Sequence, residues 1–319
     1  MLNRRYLRTK VMQSLYAFYQ SEDDRMDVAE RNLIKSIDKL YELYIYQLSV
    51  MFELVEYCKQ RIEENKQKFV PSEEDLNPNT KFINNRLIKQ LASNKCFTLH
   101  YNELKINWSG EQDIFRSLYQ KMKETAAYKD YMKSPVSSYA ADKKIILQLF
   151  RRMIISDNNL ESYFEDKNIY WADDYLTVAR MVLKTLDSFA EDKSDNYELP
   201  GLYKEEDRTH ANDDKNFMKD LFRKTIINNS KYNEIIEKHT NNWELERIAI
   251  IDKILIKMAL VELIEFPSIP VKVTLNEYIE ISKGFSYDNS KVFINGILDK
   301  IIEDLKANKV INKLGRGLV

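Results

Sequence analysis

Three arginines near the start of the chain have the type and spacing to hold a polyanion. Arg4, Arg5 and Arg8 are followed by Lys10, and no acidic residue occurs before Glu22. A guanidinium group can bind phosphate through two parallel hydrogen bonds and can also stack on a base. The first turn of a helix adds free N–H groups and the positive end of its dipole. We interpret this segment as a phosphate site, with a solvated basic helix start as the alternative.

A second candidate site lies near residue 290. Single-stranded RNA is bound by cations that meet its phosphates and by flat faces on which its bases stack. Phe293 could provide such a face at the start of a helix, with core packing as the alternative. The polar and cationic residues that we include in this site are Lys272, Lys283, Asn289, Ser290, Lys291 and Asn295. For the asparagines and the serine the alternative role is helix capping, and for each lysine it is a solvated charge.

Two apolar helices are predicted to position these residues. The first covers about 3–20, because its apolar residues recur every three or four positions: Leu7, Val11, Leu15 and Phe18. The second covers about 243–266, and Pro267 ends it.

Two shorter helices are predicted after Pro267. Thr274 and Glu277 form a capping-box pattern, so the first is expected to begin at Leu275. Gly284 is placed to end it in the left-handed conformation. The run 288–290 offers N-caps for a last helix that ends near residue 305.

The middle of the chain also predicts helices, over about 28–67, 82–91 and 114–132. The segment 71–80 and Pro135 are expected to be breaks, and 96–110 is ambiguous. The first of these helices is rich in tyrosine. Its spacing favours a packed core over a nucleic-acid surface for Tyr41, Tyr44, Tyr46 and Tyr57.

A pattern in the second half of the chain recurs 72 residues later, from position 142 to position 214. The first copy contains Asp142-Lys143, Leu149-Phe150-Arg151, Ile154-Ile155, Glu165 and Trp171. The second contains Asp214-Lys215, Leu221-Phe222-Arg223, Ile226-Ile227, Glu237 and Trp243. Two equivalent helical hairpins are predicted, with chance similarity between amphipathic helices as the alternative.

Composition limits the classes of protein. With 6 Gly and 6 Pro in 319 residues, an all-β fold is excluded and Gly-rich phosphate loops are disfavoured, so we predict an all-α fold. No known catalytic motif occurs, and the two cysteines and three histidines are scattered, so we expect neither an enzyme, a metal nor a cofactor. The net charge is −1, and no apolar run approaches the roughly 20 residues of a membrane span. A cytoplasmic protein is expected.

Two separated segments carry a family pattern. The N-terminal one is Arg4-Arg5, Arg8 and the run Met12-Gln13-Ser14-Leu15-Tyr16. The other lies within 243–300 and includes Asp252-Lys253-Ile254-Leu255, Glu262-Leu263, Val271-Lys272-Val273, Asn276-Glu277, Ser282-Lys283 and Phe293-Ile294-Asn295-Gly296. Together these segments resemble the NusB family of transcription antitermination factors, over about a third of the chain.

The resemblance implies an all-α bundle that binds boxA-like single-stranded RNA. It implies binding together with a small-subunit ribosomal protein, NusE, as part of a transcription elongation complex on ribosomal RNA genes. The family positions that face this protein partner correspond to Tyr16, Glu246 and Asp252. The resemblance supports RNA binding by the basic first helix and by the residues around Phe293.

The chain is much longer than typical members of that family. We therefore expect a NusB-like bundle made from 1–23 and 209–306, an inserted helical region over 24–208 and a basic tail over 307–319. The family pattern gives no role for the insertion. A helical protein-interaction scaffold that acts through the insertion is the alternative function. An RNA methyltransferase with a NusB-like module is disfavoured, because it would carry a Gly-rich cofactor domain.

Overall fold

The protein is all-α. The computed structural model describes residues 2–203, 213–240 and 247–318, and these residues form helices but no β-strand. The predicted fold class is confirmed. Contacts divide the chain into a terminal unit, Met1–Ile37 with Leu202–Val319, and an inserted unit, Asp38–Gly201. These boundaries differ from the expected 23/24 and 208/209.

In chain order the helices are α1 (Arg4–Gln20), α2 (Met26–Lys66), α3 (Glu73–Leu76), α4 (Arg86–Ser93), α5 (Lys95–Glu103), α6 (Gln112–Glu124), α7 (Ala126–Lys133), α8 (Tyr139–Leu149), α9 (Asn158–Lys167), α10 (Tyr175–Ser188), α11 (Asp213–Ile227), α12 (Asn229–His239), α13 (Ile250–Glu265), α14 (Val271–Phe285) and α15 (Ser290–Ala307). A π turn, Phe150–Ile154, continues α8, and short 3-10 turns lie at Ile169–Trp171 and Gly315–Leu318. Helix α2 contributes residues to both units.

Helix α13 is the centre of the terminal unit. Every residue from Ile254 to Leu263 is buried, including Lys257 and Glu262. A helix that is apolar around most of its circumference is stable only when other helices surround it. Helices α1, α11, α12, α14 and α15 all pack against α13.

The helix predicted over about 3–20 is confirmed as α1. Asn3 caps it, because the Asn3 side chain accepts a hydrogen bond from the backbone N–H of Tyr6. Leu7, Val11 and Leu15 are fully buried where α1 meets α11 and α13. The buried stripe fixes which residues of the helix face outwards.

The C-terminal tail folds back onto the connection between α13 and α14. The Lys313 ammonium donates hydrogen bonds to the backbone carbonyls of Glu262 at 3.1 Å and Phe266 at 3.0 Å. The Leu314 N–H donates to the Pro267 carbonyl at 3.0 Å. These bonds satisfy carbonyls that the end of a helix leaves unpaired.

The inserted unit has an aromatic core. Tyr44, Tyr46 and Tyr57 of α2 are buried, as the spacing predicted. The Tyr44 hydroxyl lies 2.8 Å from the Thr185 hydroxyl, and the Trp171 indole N–H donates to the Lys39 carbonyl at 2.7 Å. Buried tyrosine and tryptophan need such partners for their polar atoms.

Helices α8 and α10 of the inserted unit form an antiparallel pair. The Tyr175 hydroxyl, at the start of α10, donates to the carbonyl of Ile154 at 2.5 Å. At the other end, the Lys143 ammonium donates to the carbonyl of Phe189 at 3.0 Å. The start of one helix therefore lies beside the end of the other.

The two copies of the internal repeat have the same order of helices. Helices α8, α9 and α10 are followed in the same order by α11, α12 and α13 at nearly the same spacing. The paired positions 142/214, 149/221 and 150/222 are all buried. Trp243, the second tryptophan of the pattern, lies outside the described residues.

The structure corrects three predicted details of the inserted unit and assigns one segment that the sequence left ambiguous. The segment 71–80 contains α3, which a capping box at Ser72 initiates, and the ambiguous segment 96–110 contains most of α5. The predicted helix over 114–132 is two helices, because Thr125 ends α6 and caps α7. The helix expected at 82 begins at Arg86, after the cap Asn85.

The capping-box prediction at Thr274 was also wrong. Helix α14 begins at Val271, so Thr274 is inside it, where it is buried and bonds to Glu262. Gly284 lies within the helix, which continues to Phe285, and its conformation is not left-handed. Asn289 is the N-cap residue of α15, although its side chain makes no capping hydrogen bond.

None of the helices among the described residues is both long enough and apolar enough to span a membrane.

Candidate nucleic-acid interface

Arg8 is an internal residue of the terminal unit. Its guanidinium, 2% exposed, donates two hydrogen bonds of 2.8 Å to the Glu262 carboxylate. Glu262 is fully buried and also accepts hydrogen bonds from the hydroxyls of Thr274 and Tyr278. Burial acts to lower the pKa of Arg8, but the hydrogen bonds and charge of Glu262 raise it overall. In this structure Arg8 is not accessible to RNA, contrary to the expectation from sequence.

Arg4 and Arg5 are exposed at the start of α1. The Arg5 guanidinium, whose side chain is 47% exposed, makes two hydrogen bonds to Glu277, of 2.9 and 3.1 Å, and these raise the pKa of Arg5. Arg4 donates to the Asp214 carboxylate at 2.9 Å. Both guanidinium groups are therefore held in place by acids, but each leaves part of its surface open to solvent.

These arginines line the first of two grooves in the terminal unit. The arginine groove has a volume of about 600 Å³ and lies between the start of α1 and the connection that leads into α14. Its walls include Asn3, Ser268, Pro270 and Glu277. Lys272 is exposed on the first turn of α14. A cationic groove beside two helix starts suits an anionic ligand.

The second groove, the aromatic groove, has a volume of about 880 Å³. Its walls bring together residues that are far apart in sequence: Tyr16, Arg247, Asp252, Phe285, Tyr287, Asn289, Ser290 and Phe293. Tyr16 is 39% exposed, Tyr287 is 77% exposed and Phe293 is half-buried. The groove therefore offers aromatic faces to a ligand.

Asp252 organises one wall of the aromatic groove. It is buried, and its carboxylate accepts hydrogen bonds from the hydroxyls of Ser286 at 2.6 Å and Ser290 at 2.7 Å. These bonds fix the turn between α14 and α15. The sequence had indicated an interface residue or an ion pair with a nearby cation; instead two serines satisfy the carboxylate.

The remaining predicted residues are divided between surface and interior. Lys291 and Asn295 are exposed beside Phe293, and Asn295 donates to Asp299 at 3.0 Å. Lys283 is exposed and forms an ion pair with Glu280. Lys10 is buried, with its ammonium 5.5 Å from the centre of the Tyr6 ring. Glu246 lies outside the described residues.

Sequence reasoning missed three residues that shape these grooves. Glu277 was read as a helix cap, yet it binds Arg5. Phe285 and Tyr287 were not included in the site, although they flank the serine that binds Asp252. Their clustering as exposed aromatic residues in a turn was the signal that could have identified them.

The fold and grooves define an all-α bundle with a basic helix start and an aromatic groove. The NusB family model matches residues 177–303, which begins within α10. Residues matched by this model therefore include part of the segment that we had assigned to the insertion.

Three curated relatives carry the name transcription antitermination protein NusB. Those from Salinibacter ruber and Chloroherpeton thalassium are 46% and 44% identical over 105 residues, 33% of this chain and 66% and 50% of theirs. That from Bacillus licheniformis is 38% identical over 90 residues, 28% of this chain and 70% of its own. No solved structure matches the chain. The chain belongs to the NusB family.

Proposed function

We propose that this protein is a transcription antitermination factor that binds boxA-like single-stranded RNA. It acts together with a small-subunit ribosomal protein, the NusE partner, in the transcription elongation complex on ribosomal RNA genes. The names of the relatives support the general role. The chain covers 66% and 50% of the lengths of the first two relatives. Binding of the RNA and binding of the protein partner are therefore proposed.

The observation that carries the proposal is the aromatic groove. It joins Tyr16 of α1 to Phe293 and Asn289 at the start of α15, although more than half of the chain separates them in sequence. A half-buried ring beside an amide and a helix start can stack on a base with its open face, while the amide hydrogen-bonds the base edge and the helix start meets a phosphate. The role is one of binding, and no step of catalysis is required.

We assign each predicted RNA-binding residue either to direct contact with RNA or to a supporting role, according to its exposure. Arg4 and Arg5 have open surface at the arginine groove. Lys272 is exposed on the first turn of α14, and Lys291 is exposed beside the aromatic groove. These cations are assigned to phosphates, with Lys283 and Asn295 at the edge of the site. Arg8 and Ser290 are assigned the supporting role of holding α1 and α15 in position, because both are buried.

The ribosomal-protein partner is assigned to the side of the aromatic groove that Tyr16 forms. Tyr16 is exposed, so it can contact a protein directly. Asp252 is buried and bonds to two serines, so it acts on the partner only through the shape of the turn. Tyrosine at the rim of a pocket is a common anchor of protein interfaces.

Fluorescence anisotropy with a short boxA-like RNA and a scrambled RNA tests the proposal. The measurement is made with and without the ribosomal protein, for the wild type, Arg4→Gln/Arg5→Gln and Phe293→Leu. We expect preference for boxA-like RNA, tighter binding with the partner, and a loss of about tenfold in each variant, since a stacked base is worth about 1–3 kcal/mol. Tyr16→Ala should weaken the effect of the partner.

The matched control is Arg25→Gln/Arg31→Gln, which removes two exposed, ion-paired arginines from the same unit. It should bind RNA like the wild type. Equal binding of boxA-like and scrambled RNA, unaffected by the site variants, would reject the proposed function.

A further inference from the structure

The inserted unit contains a cationic face that lies partly outside the residues matched by the NusB family model, which begin at residue 177. Five exposed residues form it: Lys144 of α8, Arg151 and Arg152 of the π turn, and Arg180 and Lys184 of α10. We call this set the inserted basic face. Helices α8 and α10 are antiparallel neighbours, and the five cations are exposed on these two helices and the π turn between α8 and α9.

No acid among the described residues is paired with a cation of the inserted basic face. Several other arginines, such as Arg4, Arg5 and Arg8, are held in ion pairs. Arg151, Arg152 and Arg180, by contrast, make no ion pair or hydrogen bond with any described residue. An unpaired arginine keeps its charge and its hydrogen-bond donors available to an anionic ligand.

Two acids near the ends of these elements are paired with lysines outside the face. Asp187, at the end of α10, lies 3.4 Å from the Lys143 ammonium, and Asp157 lies 2.6 Å from the Lys121 ammonium. No acidic residue occurs between Lys143 and Ile154 or between Tyr175 and Leu186. These two stretches therefore carry only positive charges, although the whole chain has a net charge of −1.

The spacing of these cations suits a linear polyanion. Arg180 and Lys184 are one helical turn apart, about 6 Å, and Lys144 and Arg151 are two turns apart, about 10 Å. The π turn, a rare element that is frequent at functional sites, places two consecutive arginines on the surface. Guanidinium groups can bind phosphate oxygens in pairs.

The chemistry of this face favours a nucleic-acid backbone over a membrane or a protein. A helix that binds a membrane needs an apolar face for the lipid, and a protein interface needs an apolar core. Here Leu176 is an isolated exposed apolar residue beside Arg180. None of the five residues is aromatic, so bases have no ring to stack on and the contact is independent of sequence.

We propose that the inserted basic face binds the phosphate backbone of RNA without reading its sequence, as a second RNA site in this chain. The inference does not depend on boxA recognition, because a general phosphate contact requires no sequence-specific site.

The test uses the full chain and a fluorescein-labelled uridine oligonucleotide of about 30 nucleotides. This length is enough for its phosphates to reach all five cations of the inserted basic face. The variant is Arg151→Gln/Arg152→Gln/Arg180→Gln. Each lost phosphate contact reduces the slope of log K against log salt by about 0.7 for a single strand, so the slope should fall by about 2. Affinity at low salt should fall by at least about tenfold.

The control is Lys123→Gln/Lys129→Gln/Lys133→Gln, which removes three exposed charges from α6 and α7 of the same unit. It should leave the salt slope unchanged. An unchanged slope in the arginine variant, or the same loss in the control, would overturn the proposal. A loss of binding to anionic vesicles with RNA binding intact would overturn it as well.

The two proposals fail separately in these experiments. Uridine RNA contains no boxA sequence, so the slope reports only on backbone contacts. A protein that shows no preference for boxA-like RNA, but whose slope falls in the variant, supports the second site and rejects the first function.

Discussion

Arg8 and Glu262 join α1 to the centre of the terminal unit through two parallel hydrogen bonds of 2.8 Å. Both side chains are buried, and Glu262 also holds two hydroxyls of α14. An ion pair taken out of water is stable only when its hydrogen-bonding capacity is filled, as it is here. This pair fixes the position of the exposed arginines that precede it.

Breaking the pair should destabilise the terminal unit strongly. Arg8→Ala leaves a buried carboxylate without its cation, which costs about 3–5 kcal/mol. Urea unfolding measured by circular dichroism checks this. Arg31→Ala, which breaks an exposed ion pair with Asp27, is the control and should have little effect. Equal midpoints for Arg8→Ala and the wild type would contradict the structural role.

Glu277 should compete with RNA for Arg5. Glu277→Gln removes the carboxylate that holds the Arg5 guanidinium, so more of its donors become available to phosphate. We expect boxA-like RNA to bind several-fold more tightly, measured by anisotropy. Glu280→Gln makes the same change in net charge on the same helix without breaking this contact and should have a smaller effect. Weaker binding by Glu277→Gln would show that the acid positions Arg5 for RNA rather than competing for it.

Asp252 should control the shape of the aromatic groove. In Asp252→Ala the hydroxyls of Ser286 and Ser290 lose their acceptor, so the turn between α14 and α15 should open more often. Hydrogen exchange of residues 286–293 should speed up by about tenfold, equivalent to about 1.4 kcal/mol. Ser286→Ala removes one of the two hydrogen bonds and should have a smaller effect. Unchanged exchange would mean that packing alone holds the turn.

Lys257 should make stability depend on pH. Burial, with a smaller contribution from Lys253, lowers the pKa of Lys257 from 10.5 to about 8, and its ammonium donates to Asn229 at 2.5 Å. Between pH 8 and pH 10.5 the unfolded chain binds this proton and the folded chain does not. The contribution of Lys257 to stability therefore rises with pH over that window.

Comparison with Lys257→Met isolates this contribution. The difference in free energy of unfolding between the variant and the wild type, measured in urea, should be largest near pH 7 and shrink towards pH 10. Lys253→Met, one turn away and less buried, is the control. A difference that stays constant across the window would show that the pKa of Lys257 is not lowered.

The sequence predicted those parts of the fold that depend on neighbouring residues. Leu7, Val11 and Leu15 identified the buried side of α1, and the apolar run before Pro267 identified α13. Thr274 misled the prediction because its partner, Glu262, lies on another helix. A capping box and a buried hydroxyl have the same local sequence, and only the packing of α13 against α14 distinguishes them.

The candidate site shows the same limit. The resemblance to the family brought Tyr16, Asn289 and Phe293 into one hypothesis, and the structure places all three on one groove. The resemblance could not predict that Arg8 is buried and Arg5 is exposed, because burial depends on which acid lies opposite each arginine. Local charge patterns indicate that a cation is present, but its exposure is set by tertiary contacts.

The internal repeat gives one position two different uses. Arg223 is held by Glu30, whereas its counterpart Arg151 has no acidic partner among the described residues.

If the two grooves of the terminal unit and the inserted basic face bind one transcript, their covalent linkage makes the second binding step intramolecular. Affinity for the transcript then rises through effective concentration rather than through new contacts. Because both sites are on one chain, they always occur in a one-to-one ratio.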